Sequence, residues 1–142
     1  MTYTIDTTGI TNLVTEEVSR IAGNSFSDDG ASLYDSIAIH SRDADTVSRL
    51  IRDAVDAIVK RTADICTYVP SPEALSFYAP DMDASKEPQV AAELTRAISL
   101  SAVAGWLKDC KPDRATEYTE RANAALDIAV GILKTRKQPT RS

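Results

Sequence analysis

The chain has 142 residues, a length typical of one domain, and its 43% apolar and 26% charged residues are ordinary values for a globular protein. Its formal net charge of −5 argues against a domain that grips nucleic acid through a basic surface. No run of about 18 apolar residues is present and the first residues lack the pattern of a secretory signal, so we expect a soluble protein without a membrane helix.

The N-terminal segment, residues 1–8, is rich in threonine and weakly patterned, which predicts an extended arm. Apolar residues then recur at spacings of three and four, which predicts a helix from about Gly9 to Ala22 with one buried face. That face contains Ile10, Leu13, Val14, Val18 and Ile21. A loop follows over 24–31, and residues 31–40 are compatible with either a short helix or a short strand.

The clearest helical pattern begins near Ser41 to Asp43, which are favourable N-cap residues, and continues to about Cys66. Its apolar residues form one stripe, and most of its charged residues lie on the opposite face. The stripe consists of Val47, Leu50, Ile51, Ala54, Val55, Ile58 and Ile65.

The segment 67–87 interrupts the helical pattern. Its prolines prevent a continuous helix and predict one long loop. Leu75, Phe77 and Tyr78 are apolar enough for a short strand or a docked loop within it. Because long loops in compact domains often bind partners, Phe77 and Tyr78 are candidate partner contacts.

Two further helices are predicted, from Pro88 to about Asp109 and from Asp113 to about Lys134. The break between them is so short that they must form an antiparallel hairpin. Trp106 is the only tryptophan, and it anchors either the core or an interface.

The C-terminal segment is basic. Residues 134–142 carry a net charge of +4 with no acidic residue, so residues 1–133 carry −9. We expect residues 135–142 to be a flexible tail that either stays solvated or contacts an acidic partner. The cationic candidates for such contacts are Lys134, Arg136, Lys137 and Arg141.

No recognisable catalytic, cofactor or metal motif is present in the sequence. The single histidine, His40, has only the polar neighbours that any surface loop offers. Cys66 and Cys110 lack metal-ligand spacing and are expected to be reduced thiols, although a disulfide between them stays open. Phosphate-binding glycine loops, HExxH and CxxC are missing, so we expect no cofactor, no metal and no enzyme activity.

The predicted fold class is therefore all-α. We expect a single domain over 1–142, a helical bundle with an antiparallel C-terminal helix hairpin and one long loop, with a short β segment as the open alternative.

The layout of residues 42–134 resembles the head–tail connector, or head-completion adaptor, proteins of long-tailed bacteriophages. The resemblance rests on a long helix from Ala44 that ends at an aromatic residue, a proline-containing loop and a helical hairpin that closes near a glycine. The segments that carry it are Thr67-Tyr68-Val69-Pro70, Val90 to Ile98, Trp106-Leu107, Arg114 to Ala122 and Leu126 to Gly131.

This resemblance implies a structural virion protein without enzyme activity. Such proteins form a ring, usually of twelve copies, that joins the portal protein to a tail or stopper protein at the virion neck. DNA passes through the ring without specific binding, no membrane is involved, and assembly takes place in the host cytoplasm. The arm, the loop 67–87 and the basic tail would then contact the portal, the tail or a neighbouring subunit. The alternative is a cytoplasmic helical adaptor or regulator that acts by protein–protein binding.

Overall fold

A computed structural model describes residues 2–26, 30–70, 74–80 and 82–134, and these residues are mostly helical with one small antiparallel sheet. Four long helices and one short helix are present in this part of the chain. The fold class is therefore mainly helical, and the short β segment that the sequence left open is present as a three-stranded antiparallel sheet.

The N-terminal segment is a strand rather than a free arm. Strand β1, Thr2–Asp6, pairs antiparallel with a strand at residues 74–78. Its threonine, tyrosine and isoleucine residues favour extended backbone, and Ile5 is buried beneath the sheet while Thr4 is exposed. Asp6 ends the strand and caps the next helix, since its Oδ1 accepts the Thr8 backbone N–H at 3.0 Å.

Helix α1, Thr7–Gly23, is longer than predicted, and its apolar stripe is only partly buried. Ile10, Val14, Val18 and Ile21 are buried as expected. Leu13 is 45% exposed, which corrects its assignment to the buried face. Leu13 lies at the edge of the stripe, where a turn of 3.6 residues carries it out of the core.

The ambiguous segment 31–40 contains a short helix, α2, Tyr34–Ile37, so the helical alternative holds there. A 3₁₀ turn at Ser41–Asp43 leads into α3, Ala44–Arg61. Helix α3 ends five residues before the predicted end at Cys66. The buried Thr62 hydroxyl donates to the Ile58 carbonyl at 2.8 Å and the Cys66 N–H donates to the Thr62 carbonyl at 2.9 Å, so the chain turns here.

The predicted long loop contains a pair of strands, which is the main correction. Strand β2, Thr67–Pro70, and strand β3, Ala74–Tyr78, pair antiparallel, and β3 lies in the centre of the sheet in the order β1-β3-β2. In β3 buried and more exposed residues alternate, as they do in a half-buried strand. The prolines do exclude a helix, but Pro70 is accommodated at the end of an outer strand.

The C-terminal helix hairpin is confirmed. Helix α4, Glu87–Cys110, and helix α5, Pro112–Leu133, form the most extensive contact between elements. Lys111 separates them, and its N–H closes α4 by donating to the Leu107 carbonyl at 2.7 Å. Many of the buried residues of α5 are alanines, which let the two helices approach closely: Ala115, Ala122, Ala125 and Ala129.

Helix α4 is the central helix of the described fold, because it contacts α1, α3, α5 and β1. The segment Ala84–Cys110 is long and apolar enough by composition to cross a membrane, which the sequence reading did not anticipate. Half of the most apolar 18-residue stretch of this segment is buried inside the protein. Packing against α1, α3, α5 and β1 accounts for the apolar side chains there.

Trp106 connects this central helix to the end of the short helix α2. Its indole N–H donates to the Ile37 carbonyl at 2.7 Å, and its ring packs, half-buried, against the core. The core-anchor alternative for Trp106 therefore describes its position in the folded chain.

A polar cluster on Tyr118 connects α1 to α5. Tyr118 is fully buried, and its hydroxyl donates to Glu17 and accepts from Arg20 Nη2, the latter at 3.1 Å. The guanidinium groups of Arg114 and Arg121 lie 5.8 and 5.2 Å from the centre of the Tyr118 ring, within cation–π range.

Candidate functional site

The one histidine has a structural role at the start of α3. The His40 backbone N–H donates to Asp43 Oδ2 at 2.9 Å, and its ring Nε2 donates to the Asp35 carbonyl oxygen at 3.1 Å. These bonds hold the chain at the entry to the 3₁₀ turn, and in the described residues no nucleophile hydrogen-bonds to the ring.

Both cysteines are free thiols, so the open disulfide alternative does not apply to this structure. Cys66 is buried and Cys110 is half-buried, and this burial raises the pKa of each thiol. A raised thiol pKa lowers the fraction of reactive thiolate at neutral pH. Among the described residues, no group of three or more His, Cys, Asp or Glu side chains is placed to hold a metal ion.

The side chains of Phe77 and Tyr78 point to opposite faces of the strand that contains them. Phe77 is fully buried and contacts Tyr68, with ring centres 5.5 Å apart. The structure therefore removes Phe77 from the candidate partner contacts. Tyr78, the next residue on β3, points to the other face and is 46% exposed, so it remains available to a partner.

Of the basic candidates, Lys134 alone lies within the residues that the structure describes. Lys134 follows the last helical residue and is exposed. Arg136, Lys137 and Arg141 lie outside the residues that the structure describes, as does the predicted flexible tail 135–142.

The outer face of the sheet is an exposed surface that the sequence reading did not identify. The register places Thr4, Ser76 and Val69 side by side, and Thr67 beside Tyr78. Val69 is 54% exposed, and the Thr4 and Ser76 hydroxyls lie 3.4 Å apart. None of these five side chains is charged. A surface with few charges and an exposed tyrosine is typical of the centre of a protein interface.

A groove of about 730 Å³ lies between the start of α1, the middle of α3 and the inner side of the sheet. Its floor is apolar, with Ile51, Val55 and Leu75, and its rim carries hydroxyl groups from α1 together with Arg52 and Asp56. The volume is in the range of ligand-binding clefts, although the groove holds no constellation typical of catalysis among its described lining residues.

A second apolar groove, of about 250 Å³, separates α1 from α4. Leu13, Leu100 and Val103 give it most of its apolar surface, and Glu17 and Arg96 also line it. Since Leu13 is 45% exposed, this groove presents apolar surface to solvent on the helical side of the molecule.

A signal for the sheet surface is present in the sequence. The alternation in Thr-Tyr-Thr-Ile and Leu-Ser-Phe-Tyr is that of half-buried strands, but each run is too short to be decisive by periodicity alone.

Comparison of the chain with known protein families, with curated proteins and with solved structures found no match.

Proposed function

We propose that this chain is a structural virion protein, a ring-forming head–tail connector that joins a phage portal to the tail. The observation that supports the proposal best is the order of elements over residues 42–134. A long amphipathic helix precedes Tyr68 and the α4–α5 hairpin, as in the pattern of the resemblance, whereas α3 ends at Arg61 and Tyr68 lies in a strand.

The use of the reactive side chains also favours a structural role over a catalytic one. His40 is engaged with backbone and capping groups, and both thiols are shielded. Among the described residues, the exposed features include an uncharged sheet face, an apolar groove between α1 and α4 and a larger groove with an apolar floor, and such features bind other proteins.

The proposed partners are the portal on one side of the ring and a tail or stopper protein on the other. The ring would contain about twelve copies, as the resemblance implies, and would lie at the virion neck after assembly in the host cytoplasm. The net charge of −9 on residues 1–133 suits a channel through which DNA passes, because acidic walls repel the phosphate backbone.

The experiment uses the portal protein encoded beside this chain's gene. Purified portal rings are mixed with the chain and sedimented, and we expect the chain to co-sediment in a fixed ratio close to one copy per portal subunit. Matched controls are an unrelated portal and the chain unfolded before mixing. A chain that stays in the supernatant at all concentrations contradicts the connector function.

A cytoplasmic adaptor is the second candidate, and the groove between α1 and α4 favours it. An apolar groove with an exposed leucine is the kind of site that accepts an amphipathic partner helix. If this function is correct, Leu13→Lys abolishes partner binding, whereas the connector function predicts that Leu13→Lys leaves portal co-sedimentation unchanged.

A further inference from the structure

The small sheet has an unpaired strand at each side. Strands β1 and β2 both pair antiparallel with the central β3, so they run in the same direction on opposite edges. In the described part of the chain, no backbone hydrogen bond beyond these ladders involves either outer strand. Each edge therefore offers a row of backbone donors and acceptors to a further strand.

These two edges carry few of the charged side chains that usually keep exposed strands apart, and their protection is limited to their short length and Pro70. Natural proteins place lysines or inward-pointing charges on such edges. Here β1 has one charge, Asp6, at its end, and β2 has none. Pro70 blocks only the last position of β2. The adjoining outer face, with Val69 and Tyr78 exposed, is also uncharged, although 26% of the chain is charged.

We propose that β2 of one copy pairs in parallel with β1 of the next copy, so that the sheet edges join copies head to tail. The inference rests on the proposed function, because it names the contact by which the ring forms. Pairing of like edges in a two-fold dimer would use one edge and leave the other open. Head-to-tail pairing uses both edges in one kind of contact and closes into a ring when the rotation per copy closes.

Each contact is small. Strands of four and five residues provide far less than the roughly 800 Å² per partner of a stable protein interface. A single joint is therefore weak, and closure of the ring makes the last joint intramolecular, with a high effective concentration. This predicts association that depends on concentration or on a template such as the portal.

The test is a disulfide trap between Thr4 and Val69 in a chain that also carries Cys66→Ala and Cys110→Ala. Both positions pair with Ser76, so in one copy they lie two strand spacings, about 9.6 Å, apart. A disulfide cannot span that distance, since its Cα atoms lie within about 7 Å. Any bond between Thr4→Cys and Val69→Cys therefore joins two copies.

We expect the double variant, oxidised at high protein concentration, to give a ladder of covalent oligomers that reductant removes. An equal mixture of the two single variants should give dimers that contain one of each, and each single variant alone should stay monomeric. The matched control is Leu13→Cys with Ile128→Cys, which are 45% and 53% exposed and lie on helices. A ladder no stronger than in this control overturns the inference, and dimers of one single variant alone overturn the head-to-tail arrangement.

A charge placed on the edge gives a second test. Thr67→Lys, added to the double cysteine variant, should lower the cross-linked fraction by about tenfold, whereas Ile128→Lys should leave it unchanged. An equal ladder with Thr67→Lys contradicts edge pairing.

The outcomes separate this inference from the proposed function. If rings form on the portal without a disulfide between Thr4→Cys and Val69→Cys, the connector function stands and the edge contact is contradicted. If Thr4→Cys and Val69→Cys cross-link into a ladder of oligomers but the chain never co-sediments with the portal, the edge contact stands and the connector function is contradicted.

Discussion

The hydroxyl of Tyr118 joins α5 to α1 through two side-chain hydrogen bonds. It is buried between Glu17 and Arg20 of α1, while the Tyr118 ring lies under two arginines of its own helix. Burial first, and the neighbouring Glu17 carboxylate second, raise the pKa of Tyr118, so the hydroxyl stays protonated and can donate.

Removing this hydroxyl tests the contact directly. Tyr118→Phe keeps the ring and its packing but leaves Glu17 and Arg20 without their shared partner. We expect the free energy of unfolding to fall by about 1–2 kcal/mol, measured by urea denaturation. Tyr78→Phe is the matched control on an exposed tyrosine and should stay within about 0.5 kcal/mol of the parent. Equal stability of the two variants contradicts the role of the hydroxyl.

The Glu17 carboxylate predicts how stability changes with pH. The hydrogen bond from Arg20, with a further one from Tyr118, lowers the pKa of Glu17 in the folded chain. A lowered folded pKa stabilises the protein above the ordinary glutamate value, and that stabilisation is lost as the pH falls through the folded value.

We therefore expect the parent chain to lose stability as the pH drops below about 4, and Glu17→Gln to lose less over the same interval. Urea denaturation at a series of pH values measures this slope. Glu16→Gln, an exposed neighbour, should retain the parent slope. A Glu17→Gln slope as steep as that of the parent refutes the pairing.

At the scale of the elements, the junction between β1 and α1 depends on Asp6. This residue ends the strand and caps the helix through the Thr8 N–H at 3.0 Å. Asp6→Ala should therefore lower the free energy of unfolding by about 1 kcal/mol, and Asp6→Asn should recover most of the loss because asparagine also caps well. Loss of the same size in both variants would show that the cap bond is not the cause.

Helical periodicity predicted the four long helices, because each has enough turns for its apolar positions to repeat. The α4–α5 hairpin followed from the short break at Lys111-Pro112-Asp113. The strands were less predictable because β1, β2 and β3 have only four or five residues, and alternation over so few positions also fits a loop. The pairing of β1 with β3 joins residues up to 76 positions apart, as with Thr2 and Tyr78, so no local pattern identifies that pairing.

The exposure of the candidate contact residues followed only in part from the sequence for the same reason. Tyr78 and Lys134 are exposed, as contact residues must be, whereas Phe77 is buried because adjacent residues of a strand face opposite sides. A reading of 67–87 as a loop could not make that distinction. The outer sheet face depends on residues from both ends of a long stretch of chain, and only the fold brings them together.

At the scale of the whole molecule, charge is divided between an acidic body and a basic C-terminal segment. The segment 135–142 follows the last helix, so its removal should leave the helical signal in far-UV circular dichroism intact. Under the connector function, deletion of 135–142 should weaken binding to the portal, with an affinity loss that shrinks at high salt. Equal portal affinity after the deletion excludes the tail from the portal contact.

Under the proposed function, copies of this chain form a closed ring on a portal. The most direct measurement is electron microscopy of the purified complex of the chain with its neighbouring portal protein, with class averages along the ring axis. We expect the portal to carry an additional closed layer of about twelve copies of this chain around an open channel. Portal particles without that layer, under conditions in which the chain is folded and in excess, would contradict it.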